Sequence, residues 1–225
     1  MNSALLNYGT VTPLLRDTLH LLMEDTLFQP FLLVGGTNLS LRFGHRLSVD
    51  IDLFSDARYG SLDYEAFESF LKDGYSYFEK PDTTAIVSFG RSYYIGDSKD
   101  DCIKLDLMYT DPFIREPDII DGIRLASIDD IIAMKIDTIS RGGRKKDFWD
   151  IHKLLENRDL DEMFKLHQER YPWEHNEDQL LTAMTDFSEA ENWPEPICIE
   201  RVEWDEIKLD IIDAVKNYTN RQENG

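Results

Sequence analysis

Residues 31–55, FLLVGGTNLSLRFGHRLSVDIDLFS, constrain this chain more than any other segment. An apolar run, residues 31–34, enters the pair Gly35-Gly36, and a hydroxyl follows at Thr37. A second run, residues 49–54, carries aspartates at alternate positions, Asp50 and Asp52. On an extended strand, residues two apart project from one face. Asp50 and Asp52 therefore point together, with Ile51 and Leu53 on the other side. Two adjacent carboxylates repel unless a cation lies between them, and such hard oxygen donors suit Mg²⁺, which commonly also takes substrate phosphates. A glycine turn opening a helix offers free backbone N–H groups to a phosphate. The same residues admit a plainer reading: a tight strand-to-helix turn followed by an exposed strand edge. The order of the elements favours the chemical reading, because it can bring the two ends together.

Gly35-Gly36-Thr37 with Asp50-x-Asp52 resembles the first motif of the DNA polymerase β-type nucleotidyltransferase superfamily. The longer string GGTNLSLRFGHRLSVDIDLF, followed by KLDLMY and AMKIDTISRGGRKKDFWDIHKLL, is similar to the AbiEii/AbiGii toxin family. The resemblance covers residues 31–155 and rests on three separated motifs in order. The last seventy residues carry no usable motif. The resemblance implies an α/β core with a mixed sheet, of the nucleotidyltransferase type, at residues 1–125, and a helical region at residues 126–225.

The segment Lys104-Leu105-Asp106-Leu107-Met108 alternates again, so on a strand Lys104 and Asp106 share a face. Asp106 lies beside Asp50 and Asp52 if the two strands are neighbours; otherwise Lys104 and Asp106 form an ion pair on a solvated face. The resemblance implies that Asp106 is the third metal-binding carboxylate, with Asp50 and Asp52, around two Mg²⁺ ions. One metal then lowers the pKa of the attacking hydroxyl, and both neutralise the phosphoryl group in transit.

Lys135 falls on a helix predicted from Ser127; turned toward a cleft, it would neutralise a triphosphate. Lys146 and Asp150 are four apart and share a helical face. As a surface ion pair they would contribute only about a few tenths of a kcal/mol. Lys145, Lys146, Asp147 and Asp150 resemble the family's K-D-x-x-D motif, which the resemblance links to nucleotide handling and activity. Lys145 and Lys146 cannot both point the same way. Asp147 and Asp150, three apart, can orient Lys135 or Lys146, or bond a ribose. Arg42, His45 and Arg46 either contact phosphates or solvate a helix end.

The net charge of −20 argues against a protein that wraps long duplex DNA, since phosphate contacts need Lys and Arg. The charge is uneven. Residues 132–158 hold seven basic residues against four acidic ones, a local balance of +3 that leaves −23 elsewhere. Such a basic island suits a phosphate-bearing small molecule or the end of an RNA. The acidic remainder fits either a basic protein partner or a solvated surface. A hydrophobic content of 42% supports a real core. Cys102 and Cys198 lack metal spacing and read as small buried thiols in a reducing cytosol. No signal peptide is evident, and no apolar run approaches the ~20 residues that cross a bilayer, so a cytoplasmic protein is expected.

Periodicity predicts a helix over residues 12–27 opened by Thr12-Pro13, a strand over 31–34, a short helix over 37–43 closed by Gly44, and a strand over 49–54. A helix over 63–72 precedes strands over 75–79, 85–89, 92–95, 103–109 and 123–125. From Ser127, whose spacing to Asp130 forms a capping box, the chain turns helical: 127–140, 145–155, 161–171, 177–190 and 204–218. The polar end from Asn220 reads as frayed. The four tryptophans read as packing residues, and His20, His152, His167 and His175 as structural or surface groups.

The expected function is a Mg²⁺-dependent nucleotidyltransferase. NTP would bind at Gly35, Gly36 and Thr37, and pyrophosphate would leave as the nucleotide passes to an acceptor hydroxyl of tRNA, other RNA or protein. Asp50, Asp52, Asp106 and Lys135 are its candidate catalytic residues. The family implies the toxin of a toxin–antitoxin or phage-defence pair, with an antitoxin as partner. A non-catalytic nucleotide- or protein-binding module of the same fold is the alternative. A two-metal phosphohydrolase ranks below both, for want of a histidine-rich ligand set.

Overall fold

The computed structural model describes residues 5–81 and 89–223. The Thr12 side chain accepts the Leu15 N–H at 3.1 Å, and Pro13 fills the first helical position, where a missing N–H costs nothing. Helix α1 (Pro13–Glu24) ends three residues earlier than expected, and a single 3-10 turn, Thr26–Phe28, follows with Asp25 capping it. Strand β1 (Leu32–Leu33) passes directly into helix α2 (Gly35–Phe43). The two glycines form the first turn of α2 instead of preceding it. Gly35, at φ 69°, lets the chain fold into the helix straight from Val34.

Next come β2 (Asp50–Ser55), α3 (Tyr64–Gly74), β3 (Tyr77–Glu79), β4 (Gly90–Ser98), β5 (Asp101–Tyr109), β6 (Asp118–Ile120) and β7 (Ile123–Leu125). They build one seven-stranded sheet in the order β3-β4-β5-β2-β1-β7-β6. The sheet is mixed: β2 pairs parallel with β5 and antiparallel with β1, and β1 pairs parallel with β7. Of the strand expected over 85–89, residues 85–88 lie outside the described residues, and Phe89 stands just before β4. Strand β6 was not foreseen. It joins β7 through a two-residue turn, Asp121-Gly122, both at positive φ, and Ile120 faces Ile123 across it.

The sheet buries one face. Ile51 and Leu53 of β2, with Leu105 and Leu107 of β5, are inaccessible to solvent, and α1 and α3 supply Leu19 and Phe67 to the same core. The alternate residues, Asp50, Asp52, Lys104 and Asp106, stand on the opposite face in an intermediate environment. Packing thus fixes the orientation of the acidic face, because a one-residue slip would drive carboxylates into the core.

Packing divides the chain into two units, residues 1–44 with 48–126, and residues 45–47 with 127–225. The second unit is helical: α4 (Ile128–Ser140), α5 (Lys145–Leu155), α6 (Leu160–Arg170), α7 (Glu177–Thr185) and α8 (Trp204–Glu223). Helix α7 stops before residue 190 because Asp186 turns its side chain onto the Ser188 N–H, at 3.0 Å, an alternative to helical bonding. Helix α8 continues through Asn220 to Glu223, and the last two residues of the end expected to fray lie outside the described residues. Trp149 and Trp204 are buried and stacked, ring centroids 5.3 Å apart at 9°, whereas Trp173 and Trp193 are exposed, against the expectation that all four pack inside. Residues 45–47 are held by Leu47 N–H to Ile197 carbonyl (2.9 Å) and Ile199 N–H to His45 carbonyl (2.8 Å).

Leu105→Ala removes a fully buried side chain from a central strand. It is expected to cost about 2–5 kcal/mol of unfolding free energy in a urea titration; a change below ~1 kcal/mol would contradict this core assignment.

Candidate active site

In the first unit, the parallel pairing of β2 and β5 sets Asp50 opposite Lys104 and Asp52 opposite Asp106. Partners in such a register share a face, so three carboxylates and one ammonium stand together. Asp106 Oδ2 accepts a hydrogen bond from Lys104 Nζ at 2.5 Å. Its other oxygen, Oδ1, is buried without a hydrogen-bond partner. Burial opposes the charge on Lys104, but the bond to Asp106 and the fields of Asp106, Asp52 and Asp50 outweigh it and raise its pKa.

The glycine turn is shaped around this face. A Cβ on Gly35 would collide with Asp52 Oδ2, and the positive φ already disfavours any other residue. The Val34 N–H donates to the Asp52 carbonyl at 2.9 Å, fixing the turn to β2. Thr37 is buried; its hydroxyl donates to the Asp50 carbonyl and lies 2.8 Å from Ser48 Oγ. The hydroxyl therefore pins α2 to β2. What Thr37 and Gly36 offer a phosphate is the N–H groups of the first helical turn. Asn38, unnoticed in the sequence, anchors the other side of α2 by donating to the carbonyls of Leu33 (2.8 Å) and Ala126 (3.0 Å). Arg42 bonds Asn38, the Ala126 carbonyl and Asp118; it does not solvate the helix end.

The donor set of this face fits a hard divalent cation: oxygen ligands throughout, with one buried carboxylate oxygen still lacking a donor. A ready-made cage is not present. Among the described residues no three His, Cys, Asp or Glu side chains are already disposed around one metal position, and Lys104 occupies Asp106.

The motif residues of the second unit form a different arrangement. Asp150 is fully buried on α5. It receives Arg46 in a two-pronged grip, Nε to Oδ1 and Nη2 to Oδ2, both at 2.8 Å. His45 Nε2 lies 2.8 Å from Oδ1, and Lys135 Nζ 2.6 Å from Oδ2. Lys135, itself buried on α4, also donates to Asp147 at 2.8 Å. Asp147 in addition accepts the Arg144 N–H at 3.0 Å, capping α5. The plainer reading of Lys146 and Asp150 as a surface pair does not describe Asp150, which belongs to a buried cluster; Asp147 and Asp150 both hold Lys135. His45 and Arg46 are internal, not helix-end solvators. Lys145 lies near Glu191 (3.6 Å) and Glu195 (3.4 Å), above the Trp204 ring. Burial alone would raise the Asp150 pKa; Arg46 and Lys135, with the hydrogen bonds from His45 and Arg46, hold it well below the usual carboxylate range. Asp147 is lowered in the same way by Lys135 against its burial, and Lys135 is raised by both aspartates against its own.

A family model described as "Nucleotidyl transferase AbiEii toxin, Type IV TA system" matches residues 19–221. The chain belongs to the AbiEii nucleotidyltransferase toxin family. An uncharacterized protein of Aquifex aeolicus (strain VF5) is 30% identical over 167 residues, 69% of this chain and 73% of that protein. Two solved structures share the fold at low identity. JHP933 of Helicobacter pylori is 20% identical with a TM-score of 0.57, covering 93% of this chain and 90% of its own. MenT4, a nucleotidyltransferase toxin of Mycobacterium tuberculosis H37Rv, is 13% identical with a TM-score of 0.52, covering 88% and 80%. This AbiEii-family chain is thus a nucleotidyltransferase with a mixed α/β sheet and a helical C-terminal region. Among its described residues no helix is long and apolar enough to cross a membrane.

Asp150→Asn leaves Lys135 and Arg46 buried with half their counter-charge, and is expected to cost about 3–5 kcal/mol at neutral pH. Because the folded-state pKa of Asp150 is depressed, its stabilisation is present above the unfolded-state pKa and is lost as pH falls through the folded one. The gap between parent and variant in urea unfolding should therefore be full at pH 7 and narrow below the ordinary aspartate range; a pH-independent gap would rule out this electrostatic origin.

Proposed function

We propose that this AbiEii-family enzyme transfers a nucleoside monophosphate from an NTP to an acceptor hydroxyl, with tRNA or other RNA ends, or a protein side chain, as the acceptor class. The observation that carries this reading is the common face of Asp50, Asp52 and Asp106 across the β2–β5 pair, beside a glycine turn moulded to Asp52. Asp50, Asp52 and Asp106 would hold Mg²⁺, two ions in the reacting complex. When bound, the metal supplies Lewis-acid polarisation of the α-phosphate and charge neutralisation. The first-turn N–H groups at Gly35, Gly36 and Thr37 bind phosphate oxygens. The acceptor oxygen attacks the α-phosphorus, the bond to the bridging oxygen of the β-phosphate breaks, and pyrophosphate leaves with that electron pair. The Asp106 carboxylate helps activate the acceptor hydroxyl and takes its proton.

A part for Lys135, Lys145, Lys146, Asp147 and Asp150 in catalysis and nucleotide handling rests on their motif. Their geometry supports a positioning role, with Asp147 and Asp150 fixing Lys135. The acidic remainder of the chain favours a basic antitoxin as partner in the cytoplasm.

Incubation with each labelled NTP, Mg²⁺ and total RNA or protein tests the reading. The parent should label an acceptor and release pyrophosphate. Asp50→Asn and Asp52→Asn should each lower the rate by about 10²–10³-fold, the scale of losing one charge-stabilising group. Labelling at the parental rate by both variants would remove the carboxylates from the mechanism. Gly35→Ala, which obstructs Asp52, should lose activity to a similar degree and also melt at a lower temperature; parental activity in that variant would show that the turn is not needed in its present shape.

A further inference from the structure

The reaction described above gives the acceptor no residues of its own. We propose that the rings of Tyr94 on β4 and Tyr77 on β3 form a stacking track for the hydroxyl-bearing end of a single-stranded RNA, which they deliver to Asp106. This rests on the reading of Asp50, Asp52 and Asp106 as the reacting centre, and names what holds the acceptor beside it.

Direction comes from the strand order. The glycine turn follows β1, on one side of β2, whereas β5, β4 and β3 lie in succession on the other. In phosphoryl transfer the attacking and leaving oxygens stand roughly in line, on opposite sides of the phosphorus. With the phosphates seated at Gly35, Gly36 and Thr37, pyrophosphate leaves on the β1 side. The acceptor hydroxyl therefore arrives over β5, and the rest of the acceptor extends across β4 and β3.

Register decides which side chains it meets there. Ser92 of β4 is the partner of Asp106, and Tyr94 is the partner of Lys104 on one side and of Glu79 on the other. Cross-strand partners share a face, so Ser92, Tyr94 and Tyr77 stand on the side of the carboxylates. Ser92 is small and leaves the approach to Asp106 open. Tyr94 stands one strand beyond Lys104, about 5 Å away, and two residues along β4 from Ser92, about 7 Å.

Neither ring is needed for the core. Their chain neighbours Tyr93 and Phe78 fill the opposite face, with ring centroids 5.6 Å apart. Tyr94 and Tyr77 are themselves half-buried. Tyr77 is the partner of Gly96, and so the diagonal neighbour of Tyr94. A Cβ on Gly96 would strike the Asp101 carbonyl, which keeps that position free of a side chain beside the two rings. The Tyr77 hydroxyl donates to Glu79, which steadies its ring, and Tyr94 and Cys102 are close enough to act on its ionisation. Two rings in succession, leading away from the carboxylates, suit successive bases, since every base has a face that stacks on an aromatic side chain. A hydroxyl on a protein surface brings no such series of flat rings.

The test follows fluorescence anisotropy of a labelled short single-stranded RNA with the full chain, and KM for RNA and for NTP in the labelling reaction. Tyr94→Ala should weaken RNA binding about 5–150-fold, the loss of one stacked base, and raise KM for RNA while KM for NTP holds. Tyr77→Ala should weaken binding in the same sense, and Tyr94→Phe, which keeps the ring, should recover most of the lost affinity. Parental RNA affinity in both alanine variants would overturn the track and leave the carboxylates in place. So would a KM for NTP that rises together with that for RNA, or transfer by the parent to protein but not to RNA. No transfer by the parent to either acceptor would remove the carboxylate reading and the track with it. Thermal melting checks folding; should Tyr94→Ala not fold, Tyr94→Leu, which keeps bulk without the ring, decides by the same criterion.

Discussion

The parallel register between β2 and β5 is the constraint on which the rest of this molecule depends. Both strands alternate strictly. Ile51, Leu53, Leu105 and Leu107 go to the core, and the charged residues go to the other face. Hydrophobic burial on one side therefore sets the position of each carboxylate on the other. Burying a leucine contributes about 1.5–3 kcal/mol. Several acting together outweigh the mutual repulsion of three acids that no interaction of their own would hold together. Glycine at position 35 completes the arrangement, since only a residue without Cβ at positive φ leaves room for Asp52 beside the start of α2.

The chain treats its charged groups in two opposite ways. In the second unit, Asp150 has both oxygens engaged by cations at hydrogen-bond distance, and Lys135 is shared between two aspartates. Such a cluster is buried and matched in charge; removing one member costs more than the pair contributes net. In the first unit, Asp106 has one oxygen on Lys104 while the other, Oδ1, is buried with no donor. Incomplete compensation of this kind is unfavourable for a resting fold and suits a site that receives charge from outside.

Much of this was legible in residues 31–55 and 104–106. Period-two alternation predicted the shared acidic face, and a threonine before proline predicted the start of α1, because these signals are local. Where α2 begins was not legible, since the same glycines allow a free turn or a first helical turn, and the neighbouring Asp52 decides between them. The β6–β7 hairpin was missed although Asp121-Gly122 is a strong hairpin signal; the strands it joins are only three residues long. Helical spacing left open whether Asp147 and Asp150 form a surface pair or hold Lys135, because it shows which residues share a face but not what lies against it. The decisive partners of Asp150, His45 and Arg46, are 105 and 104 residues away along the chain. Asn38 and Ser48, both structural anchors of the glycine turn, carry no pattern that one sequence could display.

Asp52 and Asp106, partners in space, are 54 positions apart in sequence, with α3, β3 and β4 made between them. Pairings this distant form late, because a long loop must close before the contact repays it. A growing polypeptide that has reached only β4 carries the glycine turn and the first two acids but neither Asp106 nor Lys104. The shared acidic face is thus withheld during synthesis by topology, and any message cut short before β5 yields a product that cannot assemble it.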